Sequence, residues 1–217
     1  MKTKTVYILI DTSGSMRDCS EHSRSSSVNQ AMGEVMREVL PRVLAEKDAE
    51  LEPYIAVLTF SGVDIKWHIP KTKMENVTGD WMDIAESNFY GATPTGEAIK
   101  KVIDDIEVAC NGEPDPDAVA PAFILISDGE PTGGNPTYEE ELEYAEKKSP
   151  DFRHSNRVAI GIQVDDKGRE SLKKFGKTST SVSAMGIQSY YDCTDDKLDQ
   201  MVEIIKSCTL ALSTGME

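Results

Sequence analysis

Cysteine and histidine are scarce: four and three in 217 residues, with no Cys-x-x-Cys pair among Cys19, Cys110, Cys193 and Cys208. A thiolate zinc site is therefore poorly supported, and four scattered cysteines do not make the dense disulfide framework of a small secreted domain. Long apolar runs are missing too. Val6 to Ile10 is too short for a secretory h-region, and no later segment approaches the roughly 20 residues of a membrane span. Aromatic residues make up 6%, and neither Trp67 nor Trp81 is interleaved with basic residues, so a nucleic-acid stacking platform has no support. Positive charge is the last shortage. With 23 Lys and Arg against 38 Asp and Glu, the net charge of -15 repels nucleic acid and anionic membranes. The expectation is a cytoplasmic chain suited to divalent cations or basic protein surfaces, with much of the acid serving solubility.

What is present is enough apolar residue, 39%, for a packed core, in a length that suits one α/β domain spanning 1–217. Thr5 to Ile10 is a β-branched and aliphatic run of the kind that forms a parallel strand covered on both faces. After a polar stretch, Val28, Met32, Val35, Met36, Val39, Val43 and Leu44 recur at helical spacing, with Pro41 expected to kink or end the helix near Leu40. Tyr54 to Phe60 reads as a strand, and Ile65 to Ile69, after a Ser61-Gly62 turn, as an edge strand paired with it. Residues 70–89 carry no clear period. Glu97 to Cys110 reads as a helix stopped by Asn111-Gly112, followed by an acidic Pro-rich loop over 113–117. Strands at Phe123 to Ile126, Val158 to Ile162 and Tyr190 to Cys193 alternate with helices at Tyr138 to Lys148, Gly168 to Phe175 and Lys197 to Leu212. That alternation predicts an α/β fold: a doubly wound, mostly parallel sheet with helices on both faces and one antiparallel edge strand.

Three short segments sit at strand ends or helix starts, where open α/β sheets place ligands. The first is Asp11-Thr-Ser13-Gly-Ser15, in which alternate positions aim a carboxylate and two hydroxyls at a common point. Hard oxygen donors without His or Cys suit Mg²⁺, Mn²⁺ or Ca²⁺. The second is Gly91-Ala-Thr93-Pro-Thr95-Gly96, a hydroxyl loop entering a helix, which ordinary capping by Thr95 explains equally well. The third is Ser127-Asp128-Gly129 at the end of an apolar strand, where an ordinary Asp-Gly turn is the plain alternative.

Taken in order, D-x-S-x-S, T-x-T-G and a strand ending in S-D-G resemble the von Willebrand factor A family and its metal-ion-dependent adhesion site (MIDAS), over essentially the whole chain. The resemblance implies that Ser13, Ser15 and Thr93 ligate one divalent cation through hydroxyls, Mg²⁺ foremost and Mn²⁺ or Ca²⁺ as alternatives. It implies that Asp11 and Asp128 lie around the ion and act largely through water. Thr93, the first threonine of T-x-T-G, is the matching one. It further implies a non-catalytic module that captures an Asp or Glu of a protein partner on the cation. Val6 to Arg17 is most similar to the bacterial cytosolic group associated with tellurium resistance (TerY-like), whose members are encoded beside predicted kinases and phosphatases and are linked to stress-response complexes. One departure stands out: Arg17 to Ser27 is several residues longer than the usual link into the first helix, and so is placed to rim the site.

The competing readings are weaker. A metal-dependent phosphoester hydrolase is the alternative, but no second metal site, catalytic Lys or Arg, or phosphate-cradling loop is legible. Asp11-Thr-Ser-Gly lacks the direct Asp-Thr/Ser-Gly succession of an aspartic protease. His22, His68 and His154, the last in a basic patch with Arg153 and Arg157, show no ligand spacing. Asp104-Asp105 and Asp165-Asp166 are neighbours that point apart, and the methionines read as core filler.

Overall fold

The computed structural model describes residues 1–17, 24–109, 117–194 and 198–213. Cys19, Cys110, His22, Lys197, the Asn111-Gly112 helix stop and most of the acidic Pro-rich loop lie outside them. Six strands form one sheet: β1 (Lys2–Asp11), β2 (Leu51–Ser61), β3 (Asp64–Lys73), β4 (Ala122–Ser127), β5 (Asn156–Ile162) and β6 (Tyr190–Cys193). Their spatial order is β3-β2-β1-β4-β5-β6. All pairings are parallel except β2 with the edge strand β3. The expected doubly wound sheet with a single antiparallel edge is therefore observed.

Helices α1 (Arg24–Glu34), α2 (Leu40–Glu46), α3 (Thr95–Ala109), α4 (Tyr138–Lys148), α5 (Pro150–His154), α6 (Asp166–Phe175), α7 (Thr180–Ala184) and α8 (Leu198–Ser213) pack around the sheet. Strand alternation sorts two cores. Val6, Ile8, Ile10, Ile124, Ile126 and Ile160 meet the apolar side chains of α1, α2 and α8 on one face. Tyr7, Leu9, Phe123, Leu125 and Ala159 meet those of α3, α4, α5 and α6 on the other. Because successive strand side chains point to opposite faces, a strand clothed on both sides must be apolar throughout, as β1 and β4 are.

Pro41 does not stop the first helix. Between α1 and α2 the chain runs through a π-helical stretch, Val35–Val39, and Pro41 stands in the first turn of α2. The widened turn accommodates a residue that lacks an N–H and crowds the preceding carbonyls. The Met36 carbonyl instead accepts from the Gly79 N–H at 2.9 Å. The helix also starts earlier than the polar sequence suggests: Arg24 to Ser27, read as loop, are already helical, which shortens the supposed long link.

The stretch from Pro70, patternless in sequence, begins as strand. β3 runs on to Lys73 with Pro70 exposed on the sheet edge, where a missing N–H costs no ladder bond, and its pairing with β2 shifts register on either side of Ile69. Short 3-10 turns at Met74–Asn76 and Glu86–Asn88 complete the segment. Arg157, read as part of a basic patch with Arg153 and His154, is 2% exposed. Its guanidinium donates to the Phe152 carbonyl at 2.7 Å and the Phe175 carbonyl at 2.9 Å, lies over the Phe152 ring and pairs with Glu146. No helix among the described residues is long and apolar enough to cross a membrane.

Candidate functional site

Between β1 and β4 the direction of winding reverses, since β2 and β3 lie to one side and β5 and β6 to the other. Chains leaving the carboxyl ends of these two strands diverge to opposite faces and open a crevice there. β1 ends in Asp11 and β4 in Ser127, directly before Asp128. The register that pairs Ile10 with Ile126 sets these ends side by side.

Hydrogen bonds knit the ends together. Asp11 Oδ2 accepts from the Ser127 hydroxyl at 2.6 Å, and its Oδ1 accepts from the Ser13 N–H at 2.7 Å. The Ser13 and Ser15 hydroxyls are 3.1 Å apart. Ser15 Oγ donates to Asp128 Oδ1 at 2.9 Å, so one chain of contacts runs from Asp11 through both serines to Asp128. The spacing works because Asp11 closes a strand and Gly14–Met16 forms a 3-10 turn, which folds alternate residues back on one another.

The T-x-T-G loop is tied to the same turn. The Gly14 N–H donates to the Gly91 carbonyl at 3.1 Å and the Tyr90 N–H to the Thr12 carbonyl at 2.9 Å. Gly91 has φ +76, and a Cβ on it would sit 3.0 Å from Gly62 Cα, so this crossing demands glycine on both counts. Thr93 is buried, its N–H accepted by the Thr132 hydroxyl at 3.1 Å and its carbonyl accepting from the Thr132 N–H at 3.0 Å. Thr95 opens α3, and its hydroxyl turns back to the Thr93 carbonyl at 3.5 Å. The threonine-to-threonine contact assigns Thr95 to the helix start, leaving Thr93 as the loop residue.

Two carboxylates at one buried crevice repel each other and lose hydration. Burial pushes the Asp11 carboxyl up to about 7, against the bonds from Ser127 and Ser13 that pull it down, and the nearby Asp128 charge adds to the rise. Asp128 is raised as well, first by burial, although Ser15 and Arg24 oppose the change. A site of this electrostatic character favours added positive charge. Among the described residues no three His, Cys, Asp or Glu side chains gather in a metal-holding group. A cation at this edge would have to draw on hydroxyl oxygens together with the two carboxylates, a hard donor set of the kind that suits Mg²⁺, Mn²⁺ or Ca²⁺.

Sequence reading missed three participants. Arg24, half-buried and set in a polar run with no pattern, pairs with Asp128. Gln163, just after β5, accepts from Arg24 Nε at 2.6 Å. Thr132 braces Thr93 from a loop whose proximity only the fold reveals.

Comparison with known proteins gives consistent results. The family model described as von Willebrand factor type A domain matches residues 5–203. No curated protein matches the sequence. Among solved structures, the pilus adhesin SpaC from Lactobacillus rhamnosus GG superposes with a TM-score of 0.64 at 14% identity, covering 97% of this chain and 31% of that one. Proximal thread matrix protein 1 from the mussel byssus, in a structure with a zinc-occupied MIDAS motif, gives 0.65 at 15% identity, covering 96% and 48%. A von Willebrand factor type A protein from Catenulispora acidiphila gives 0.59 at 12% identity, covering 96% and 42%. This chain thus spans from about a third to about half of these proteins' lengths.

Proposed function

The chain belongs to the von Willebrand factor type A domain family, and from that premise we propose that it is a non-catalytic protein-binding module working through a divalent cation. Residues 1–217 are read as one such domain. The observation that carries the reading is the contact chain Asp11–Ser13–Ser15–Asp128 across the ends of the two central strands. Ser13, Ser15 and Thr93 would hold the ion through neutral hydroxyls, while Asp11 and Asp128 sit around it. Neutral ligands leave a bound cation most of its charge, and the chemistry it supplies is attraction for a carboxylate. Mg²⁺ is the expected ion, with Mn²⁺ and Ca²⁺ as alternatives; the zinc in the mussel protein's MIDAS supports divalent occupancy of such a motif in this fold.

The protein's own residues contribute the rest. Asp11, fixed by Ser127 and the Ser13 N–H, orients the serine turn. The chain as a whole carries a net charge of -15, so a partner's Asp or Glu is attracted only where a cation offsets that charge. The proposed setting is the bacterial cytoplasm, in a stress-response complex of the tellurium-resistance type with a kinase or phosphatase encoded nearby. The test is capture from bacterial cytosol by wild type and Asp11→Ala, each in Mg²⁺ or EDTA, alongside calorimetric titration with Mg²⁺ and Mn²⁺. Loss of Asp11 should weaken cation binding about ten- to a hundredfold, the usual cost of removing even a supporting contact, and abolish capture. A partner retained equally in EDTA would falsify the cation-bridged reading.

A further inference from the structure

We infer that Arg24 is an internal counter-cation for the site, which an incoming divalent ion must displace from Asp128. This rests on the cation-binding reading above and adds to it a residue that sets the affinity. Arg24 opens α1, yet its guanidinium reaches across to the carboxyl end of β4. Nη1 donates both to Asp128 Oδ2 and to the Ser15 carbonyl, the latter at 3.0 Å, and Nε donates to Gln163 Oε1 at 2.6 Å. Three segments that meet at the crevice are thereby held by one side chain. Asp128, whose side chain is 0% exposed, has its two oxygens divided between Ser15 and Arg24.

The third anchor is itself built for the purpose. Gln163 is the one non-glycine residue with positive φ, 55, among the described residues. A left-handed conformation is unfavourable for a side chain-bearing residue and persists where surrounding contacts fix it. Here the Gln163 N–H donates to the Cys193 carbonyl at 2.8 Å, and its side chain is turned to Arg24. The guanidinium is thus clamped from β4, from the serine turn and from the end of β5.

A fixed positive charge on a carboxylate beside the donor hydroxyls opposes a second cation in two ways. It repels the ion directly, and it occupies the acceptor that would otherwise favour the ion. A unit charge this close shifts divalent binding by about tenfold even when screening approaches that of water. Arg24 therefore lowers the affinity and confines occupancy to conditions in which the divalent ion is plentiful. The guanidinium released on binding would remain beside the crevice, where it can contact an incoming carboxylate.

The experiment is calorimetric titration of the metal-stripped full chain with Mn²⁺, using wild type, Arg24→Gln, Arg24→Lys and Gln163→Ala. Arg24→Gln should bind about tenfold more tightly than wild type by removing the charge. Arg24→Lys keeps the charge but not the fork that reaches Gln163, so it should tighten less than Arg24→Gln, and Gln163→Ala should likewise tighten to a lesser degree by loosening the clamp. Gln163→Ala leaves Arg24 and Asp128 intact, so it keeps the inference testable if Arg24→Gln does not fold. Equal or weaker binding by both Arg24→Gln and Gln163→Ala overturns the role of Arg24 while leaving the cation site standing. Absence of Mn²⁺ binding in every variant, wild type included, removes the cation site and the inference with it.

Discussion

At the scale of single residues, position in the fold decides what a titratable group does. His68 lies in the edge strand, but its ring packs 4.6 Å from that of Trp81 and its Nε2–H donates to the Met82 carbonyl at 2.7 Å. Burial, with Lys66 adding to it, lowers its pKa from the ordinary 6.5 although the Met82 bond acts the other way. The folded protein therefore prefers neutral His68. As pH falls below 6.5 the unfolded chain takes up its proton first, and stability declines until the folded pKa is passed. Acidification through that window should loosen Trp81, seen as a change in tryptophan emission, and His68→Gln should flatten the response. An unchanged profile in the variant would move the effect elsewhere. The sequence placed His68 beside Trp67; its ring neighbour in the fold, Trp81, is contributed by a stretch without periodicity. That Asp11, Ser13, Ser15 and Asp128 come together was legible because each stands in or beside a motif pinned to a strand end. Arg24 and Arg157 were not, because a long cation's burial depends on acceptors that come together only in the folded chain.

Elements were legible wherever one face or both met a core. The apolar runs of β1 and β4 and the helical spacing of α3 and α8 located those elements to within a few residues. The short helices α5 and α7 have too few turns to show a period, and neither was foreseen. Gly96 shows how an element's start can be set by a neighbour. In sequence it reads as a turn-shaping residue; in the fold it sits inside the first turn of α3, and a Cβ there would lie 2.6 Å from the Pro136 carbonyl oxygen and from Thr137. Alanine in a helix is ordinarily favoured over glycine by about 1 kcal/mol. Here overpacking against fixed backbone, typically about 1–3 kcal/mol, opposes that gain and exceeds it, since Thr137 caps α4 and cannot yield without uncapping it. Gly96→Ala should therefore lower stability by about 1–2 kcal/mol net, measured by urea denaturation. An increase would show that the loop gives way freely.

For the whole molecule, alternation of strands and helices foretold the parallel sheet, and the order of motifs foretold which strand ends would meet. What it left open was the means by which distant segments are fastened. Lys206 on α8 pairs with Glu34 and Glu38 of the first helical run as well as with Glu203, a tie between two helices that no local pattern announces. The bond from Gly79 to the Met36 carbonyl is another such fastening, and it exists in a place that Pro41 leaves vacant. Replacing Pro41 by alanine supplies a helix with the N–H it lacks, a change normally regarded as an improvement. In the i→i−5 register that the Leu40 N–H already follows to the Val35 carbonyl, the new donor would face the Met36 carbonyl and compete with Gly79 for it. The amide of Gly79, hydrogen-bonded to Met36 in wild type, should then exchange with deuterium faster in Pro41→Ala, and Trp81 two residues on would share the release. A more fully bonded helix would thus come at the expense of a loop 38 residues along the chain from the proline.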